Sequence, residues 1–101
     1  MSGATNVEQV IAFEGDLTFD TARKQLRCLH KKIDEAASHF GLDLCGIGKI
    51  DSAGLALMIE GKKHAYKLGK KMYYRNLPEL YKKLLKFYEL DKILLNNPQK
   101  G

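Results

Sequence analysis

Ile50-Asp51-Ser52-Ala53-Gly54-Leu55 is the stretch whose reading decides the fold of this chain. Leu42-Asp43-Leu44-Cys45-Gly46-Ile47 before it reads as a strand, and Gly48-Lys49-Ile50-Asp51-Ser52 as a tight connection into a helix. Ser52 is placed to accept an orphan backbone N–H as the N-cap. Asp51 gains from the positive end of the helix dipole. The small Ala53 and the side-chain-free Gly54 leave the first turn open to another backbone. A phosphate on Ser52 would sit at an anion-favouring helix start while crowding Asp51, which would make a switch. Spacing alone favours a simple cap with no further role, since caps of this kind are common.

Downstream, the predicted helix runs from about Ser52 to Leu68. Its first turns, Ala53 to Ile59, are almost wholly apolar, and its later turns carry Lys62, Lys63 and Lys67. Its start is therefore buried on most sides or awaits a partner, and its end is solvated. Gly69 supplies the stop. Met72-Tyr73-Tyr74-Arg75 reads as a strand, and Asn76-Leu77-Pro78 opens a third helix, with Pro78 tolerated in its first turn. Leu80, Tyr81, Leu84, Phe87 and Tyr88 are its expected buried stripe, opposite Lys82, Lys83 and Lys86. Leu90 to Leu95 gives a last short strand or an irregular end.

Upstream, Ala22, Leu26, Leu29, Ile33, Ala37 and Phe40 make one helical stripe, predicting a helix from about Asp20 to Phe40. Thr18 or Asp20 would cap its start and Gly41 its end. Val10-Ile11-Ala12-Phe13 reads as a strand closed by a turn at Glu14-Gly15-Asp16. Alternating strands and helices predict a single α/β domain over residues 10–95, with parallel pairing. Residues 1–9 are expected to be a tail or weak edge strand, and residues 96–101 a disordered tail.

The 101 residues, 45% hydrophobic and 29% charged, suffice for one packed domain. No apolar run approaches the 18 or so residues of a bilayer span, and the start has no secretory pattern, so the expected place is the cytoplasm. Cys28 and Cys45 lack metal-ligand spacing and read as buried thiols in a reducing compartment. His30, His39 and His64 read as surface histidines with no nucleophile beside them. Gly46-Ile47-Gly48-Lys49 has neither phosphate-loop nor dinucleotide spacing, and Asp51-Ser52 lacks a nucleophile elbow's general base, so no catalytic residue, metal site or cofactor is expected. Charge is uneven: residues 1–60 carry six Lys/Arg and nine Asp/Glu, residues 61–101 eleven and three. Such a basic half faces anionic lipid, an acidic protein surface or nucleic acid, or is simply a solvated helix face. Tyr66, Tyr73, Tyr74, Tyr81 and Tyr88 lie among these lysines, but core packing explains Tyr81 and Tyr88, so nucleic acid is not the expected partner.

Ile50 to Leu55, the following helix, the Gly69-Lys70 stop, a short strand and Asn76-Leu77-Pro78 together resemble the STAS family. Glu14-Gly15-Asp16-Leu17-Thr18-Phe19 resembles that family's strand-to-helix turn, and the likeness covers about residues 10–92. The resemblance implies a mixed, mostly parallel sheet flanked by three or four helices. It also implies a partner-binding surface at the turn Asp51, Ser52, Ala53, Gly54 and Leu55, with Ser52 as a possible phosphoacceptor; on the helix that follows, Leu55 and Ile59 are expected to add apolar contact if they lie off the sheet face, and Lys62 and Lys63 to steer an acidic partner surface. Asp51 to Leu57 is most similar to the MlaB branch, small subunits that bind and support the ATPase of an inner-membrane ABC phospholipid transporter. That branch implies a cytoplasmic, non-enzymatic subunit held at the membrane through its partner. The alternative branch is the anti-sigma-factor antagonist, a serine phosphoswitch whose partner is an anti-sigma-factor kinase.

Overall fold

The computed structural model of the chain describes residues 9–87. Its elements run β1 (Gln9–Ala12), β2 (Gly15–Leu17), α1 (Ala22–Glu35), β3 (His39–Asp43), β4 (Ile47–Ile50), α2 (Ser52–Lys67), β5 (Lys71–Arg75) and α3 (Glu79–Phe87). Strands β1, β3 and β5 form one parallel sheet in that order, and β2 and β4 form a second parallel pair. Gln9 stands opposite Phe40 and Phe40 opposite Met72, which fixes the register of the larger sheet. Every strand pair among the described residues is parallel, as helical crossovers between strands require.

The core is continuous. Phe13, Leu17, Leu29, Ile33, Phe40, Leu42, Leu44, Met58, Met72, Tyr81 and Leu85 are fully buried within it. Leu29 and Ile33 deliver the inner face of α1, and α2 packs along α1. Gly61, buried in α2, allows that approach: a Cβ there would lie 2.8 Å from both Leu29 Cδ2 and the Tyr74 hydroxyl. Gly69 closes α2 with a left-handed φ of 71°, which glycine adopts without a steric penalty.

Several sequence expectations are corrected. The stripe from Ala22 to Phe40 is not one helix: α1 stops at Glu35, and Phe40 and Gly41 belong to β3. The Lys70 ammonium caps α1, donating to the carbonyls of Ile33, Asp34 and Ala36 at 2.8–2.9 Å. A cation at a helix C-terminus satisfies orphan carbonyls and opposes the dipole. Neither Thr18 nor Asp20 caps its start. The N-cap is Thr21, whose hydroxyl serves the Asp16–Thr18 loop instead. The expected turn at Glu14-Gly15-Asp16 overlaps the start of β2, and the expected connection Gly48-Lys49-Ile50 is most of β4.

In α3 the buried residues are Tyr81 and Leu85, whereas Leu80 and Phe87 are 55% and 77% exposed. Cys45 is exposed and Cys28 half-buried, so the pair is not a buried couple of thiols. His30 and His64 are half-buried rather than superficial: their rings stack at 4.1 Å, and His64 Nε2 lies 2.7 Å from Asp34 Oδ1. His39 opens β3 instead of ending a helix, with its ring edge-on to Tyr73. Tyr88, Leu90 to Leu95 and the tail 96–101 lie outside the described residues, and of the expected N-terminal tail only Gln9 is described, in β1.

Candidate functional site

The end of β4 delivers Asp51 to the start of α2, and Asp51 rather than Ser52 is the N-cap. Asp51 Oδ1 accepts the backbone N–H of Ala53 at 2.9 Å and of Gly54 at 3.3 Å. Its other oxygen, Oδ2, accepts the N–H of Phe19 at 3.0 Å. A carboxylate at Ncap reaches the second and third amides of the helix, while a side chain one position later points away from them. These three amides, led by Phe19, hold the Asp51 carboxyl below its ordinary range despite desolvation.

Ser52, released from capping, is the exposed first residue of α2. The space left open at Gly54 is filled by this chain's own atoms. Gly54 is buried, and a Cβ there would strike the Leu17 carbonyl oxygen and lie 2.8 Å from the Tyr81 hydroxyl. Leu55 is likewise in the core, at 4% exposure. Ala53 and Ile59 are half-buried, and Ile59 packs on the core. Lys62 is drawn inward, donating to the Met72 carbonyl at 2.6 Å with its ammonium 5.8 Å above the Tyr74 ring. Burial brings that ammonium down to about 8. Of the seven residues from Asp51 to Lys62 expected at a partner surface, Ser52 is the one the structure leaves exposed.

Two features of this corner escaped sequence reasoning. Phe19, in the loop after β2, is 81% exposed and tied by its N–H to the residue preceding Ser52. An open groove of about 470 Å³ runs between α1 and α2, lined by Ala22, Arg23, Leu26, Ala53, Ala56, Leu57 and Glu60. Exposed Ala56 follows Ser52 by four residues on α2, so the groove and the serine share one helix face. The available sequence signal was Phe19 itself, a large aromatic between the polar Thr18 and Asp20, just ahead of the Ala22–Leu26 stripe. The groove needed the pairing of two helices distant in sequence.

Tyr81 underlies the same corner. Its ring is fully buried, and its hydroxyl has no hydrogen-bond partner among the described residues. Burial, with the Asp51 charge adding to it, pushes the phenol well above its usual range. Among the described residues no cluster of three or more His, Cys, Asp or Glu side chains could hold a metal ion. No helix among them is long and apolar enough to cross a membrane.

With parallel strands, a carboxylate-capped helix and an exposed serine at its first turn, the chain has the architecture of a STAS domain. The family described as "Mlab, STAS domain" matches residues 2–96, and the chain belongs to that family. Solved structures agree on the fold. A sulfate transporter family protein from Wolinella succinogenes superposes with a TM-score of 0.66 at 18% identity, covering 92% of this chain and 79% of that one. The STAS domain of a SulP transporter from Vibrio cholerae gives 0.61 at 21% identity, covering 88% and 69%. The anti-sigma factor antagonist SpoIIAA in its unphosphorylated form gives 0.56 at 16% identity, covering 77% and 72%. No curated protein matches the chain in sequence.

Proposed function

We propose that this STAS domain is a non-catalytic subunit that docks on the ATPase of an inner-membrane ABC phospholipid transporter and supports its assembly and activity. The observation that carries the reading is the exposed Ser52 on a helix start held rigid by Asp51, in a chain of the MlaB-type family. A rigid, capped corner suits docking because little side-chain or loop freedom is lost on association. Asp51 builds the corner, Ser52 and Ala53 present it, and Gly54, Leu55 and Ile59 anchor it to the core. Lys62 supports α2 from within rather than steering a partner. The domain would lie in the cytoplasm, at the membrane through its ATPase.

The test is co-purification of the ATPase with Ser52→Glu and Ser52→Thr variants. Ser52→Glu places a second carboxylate beside Asp51 and is expected to lose the ATPase while keeping the wild-type unfolding midpoint. Ser52→Thr should retain both. Undiminished recovery of the ATPase with Ser52→Glu would remove Ser52 from the docking surface.

A second reading, an antagonist of an anti-sigma-factor kinase, is favoured by one observation. The exposed hydroxyl at position 52 is a serine at an anion-friendly helix start, where a phosphate would be tolerated. Mass analysis of Ser52 after incubation with such a kinase and ATP separates the two readings.

A further inference from the structure

We propose that α3 meets an anionic phospholipid surface directly, with Leu80 and Phe87 entering the headgroup layer and Lys83 and Lys86 binding its phosphates. The contact goes beyond the ATPase docking above and uses none of its residues. Leu80 is 55% and Phe87 77% exposed, and they stand two turns apart along one side of α3. Leu84, half-buried against the core, lies between them and completes a stripe at spacings of four and three. Tyr81 and Leu85 occupy the core side of the helix, so the domain holds this stripe outward. The other exposed large side chains make no such row. Val10 and Phe19 stand on separate segments, and Tyr66 and Leu68, two positions apart, do not face one way.

Charge selects the occupant. Lys83 follows Leu80 by three positions and precedes Phe87 by four, and Lys86 continues the same cationic flank; both lysines are exposed. Glu79, the one acidic residue of α3, lies 4.0 Å from Lys82, on the side of the helix away from Leu80. The helix carries three lysines and no arginine. Compact, strongly hydrated ammonium groups on flexible stems suit a mobile array of headgroups, whereas a fixed carboxylate site favours the arginine fork. Their stems can lie along the apolar layer while the charge stays among the phosphates. Affinity of this kind sums apolar burial and attraction to anionic lipid, and a short helix needs both. The basic surplus of residues 61–101, eleven Lys/Arg against three Asp/Glu, has the matching sign.

The experiment floats the full chain with vesicles of phosphatidylcholine, alone or mixed equally with phosphatidylglycerol. The variants are Leu80→Ser, the double reversal Lys83→Glu/Lys86→Glu and, as a control on α1, Lys24→Glu. All these positions are exposed, and unfolding midpoints check that the variants fold. Wild type is expected on the mixed vesicles and not on phosphatidylcholine, with release in about 0.5 M salt. Leu80→Ser should weaken binding roughly fivefold, the double reversal about tenfold or more, and Lys24→Glu less than about twofold. The chain has no tryptophan, so Phe87→Trp supplies a single reporter. Its emission should shift to the blue on the mixed vesicles, while that of Tyr66→Trp on α2 stays in place. Absence of wild-type binding to the mixed vesicles overturns the inference, as does undiminished binding by the double reversal. A blue shift in Tyr66→Trp without one in Phe87→Trp overturns it too. Binding of single-stranded RNA in place of vesicles, lost in the double reversal, makes the lysines a nucleic-acid face, and the inference falls. Recovery of the ATPase with Ser52→Glu is read separately, so the transporter reading stands or falls on its own.

Discussion

Asp51 Oδ2 accepts the backbone N–H of Phe19 at 3.0 Å across thirty-two positions of sequence, while Oδ1 of the same carboxylate caps α2. One side chain thus fixes both the loop that carries the exposed aromatic and the helix start that carries Ser52. Asp51→Ala is expected to lower the unfolding midpoint and to weaken amide protection at Phe19, Ala53 and Gly54 together. Hydrogen exchange read at those three amides checks the link, and independent behaviour of Phe19 would break it.

The same carboxylate makes the corner sensitive to acid. Its folded pKa lies below the ordinary value of 3.8, so the stability it contributes is complete at neutral pH. That stability disappears as pH falls through the folded value. Asp51→Asn keeps a capping oxygen but cannot ionise. Its urea midpoint should therefore change less than that of wild type between about pH 5 and pH 2.

Gly54 is the tightest point of the turn. Gly54→Ala drives a methyl into the Leu17 carbonyl oxygen, a backbone atom that cannot rotate away. A loss of roughly 3 kcal/mol is expected in chemical denaturation, at the upper end for overpacking of a close-packed site. The substitution should also disturb the β2 end at Leu17, visible as a weakened Asp51 N–H bond to the Leu17 carbonyl, which measures 3.2 Å here.

Tyr81→Phe removes the hydroxyl that is buried beneath Gly54 with no hydrogen-bond partner among the described residues. An unsatisfied buried donor costs folding free energy, whereas the ring provides the packing. The variant is expected to be more stable by about 1 kcal/mol. A destabilised variant would mean that this hydroxyl has a partner on folding.

Lys62 should give the domain an alkaline dependence of the unusual sign. Its folded pKa of about 8 lies below the ordinary 10.5, so between these values the unfolded chain holds a proton that the folded one does not. Stability therefore rises with pH across that window. Lys62→Met keeps the stem packed near Tyr74 and removes the charge, so the rise between pH 8 and 10.5 should vanish in urea titrations.

Local chemistry alone located α2, because a carboxylate-serine pair, an apolar first turn and a stop glycine each act within a few residues. The strand Lys71–Arg75 and the opening of α3 were legible for the same reason. The Asp51-Ser52 pair was visible too, but which of them caps depends on a one-residue shift in where the strand ends. Phe40 fitted a helical stripe in sequence and lies in β3 instead. What ends α1 is Lys70, thirty-four residues beyond Ala36, and what claims Phe40 is a ladder with Gln9 and Met72. Likewise β4 hides in Gly48 and Lys49, which lack strand propensity, and the strand forms because Ile47 and Ile50 on either side pair with Gly15 and Leu17 of β2. Sequence by itself therefore determined the α/β class, the corner at Asp51–Ser52 and the family. Tertiary structure alone decided that Gly54 and Leu55 face inward, that Lys62 is half-buried, and that Phe19 and the groove stand beside Ser52. Periodicity and caps act over a turn of chain, whereas burial and juxtaposition are set by contacts between residues tens of positions apart.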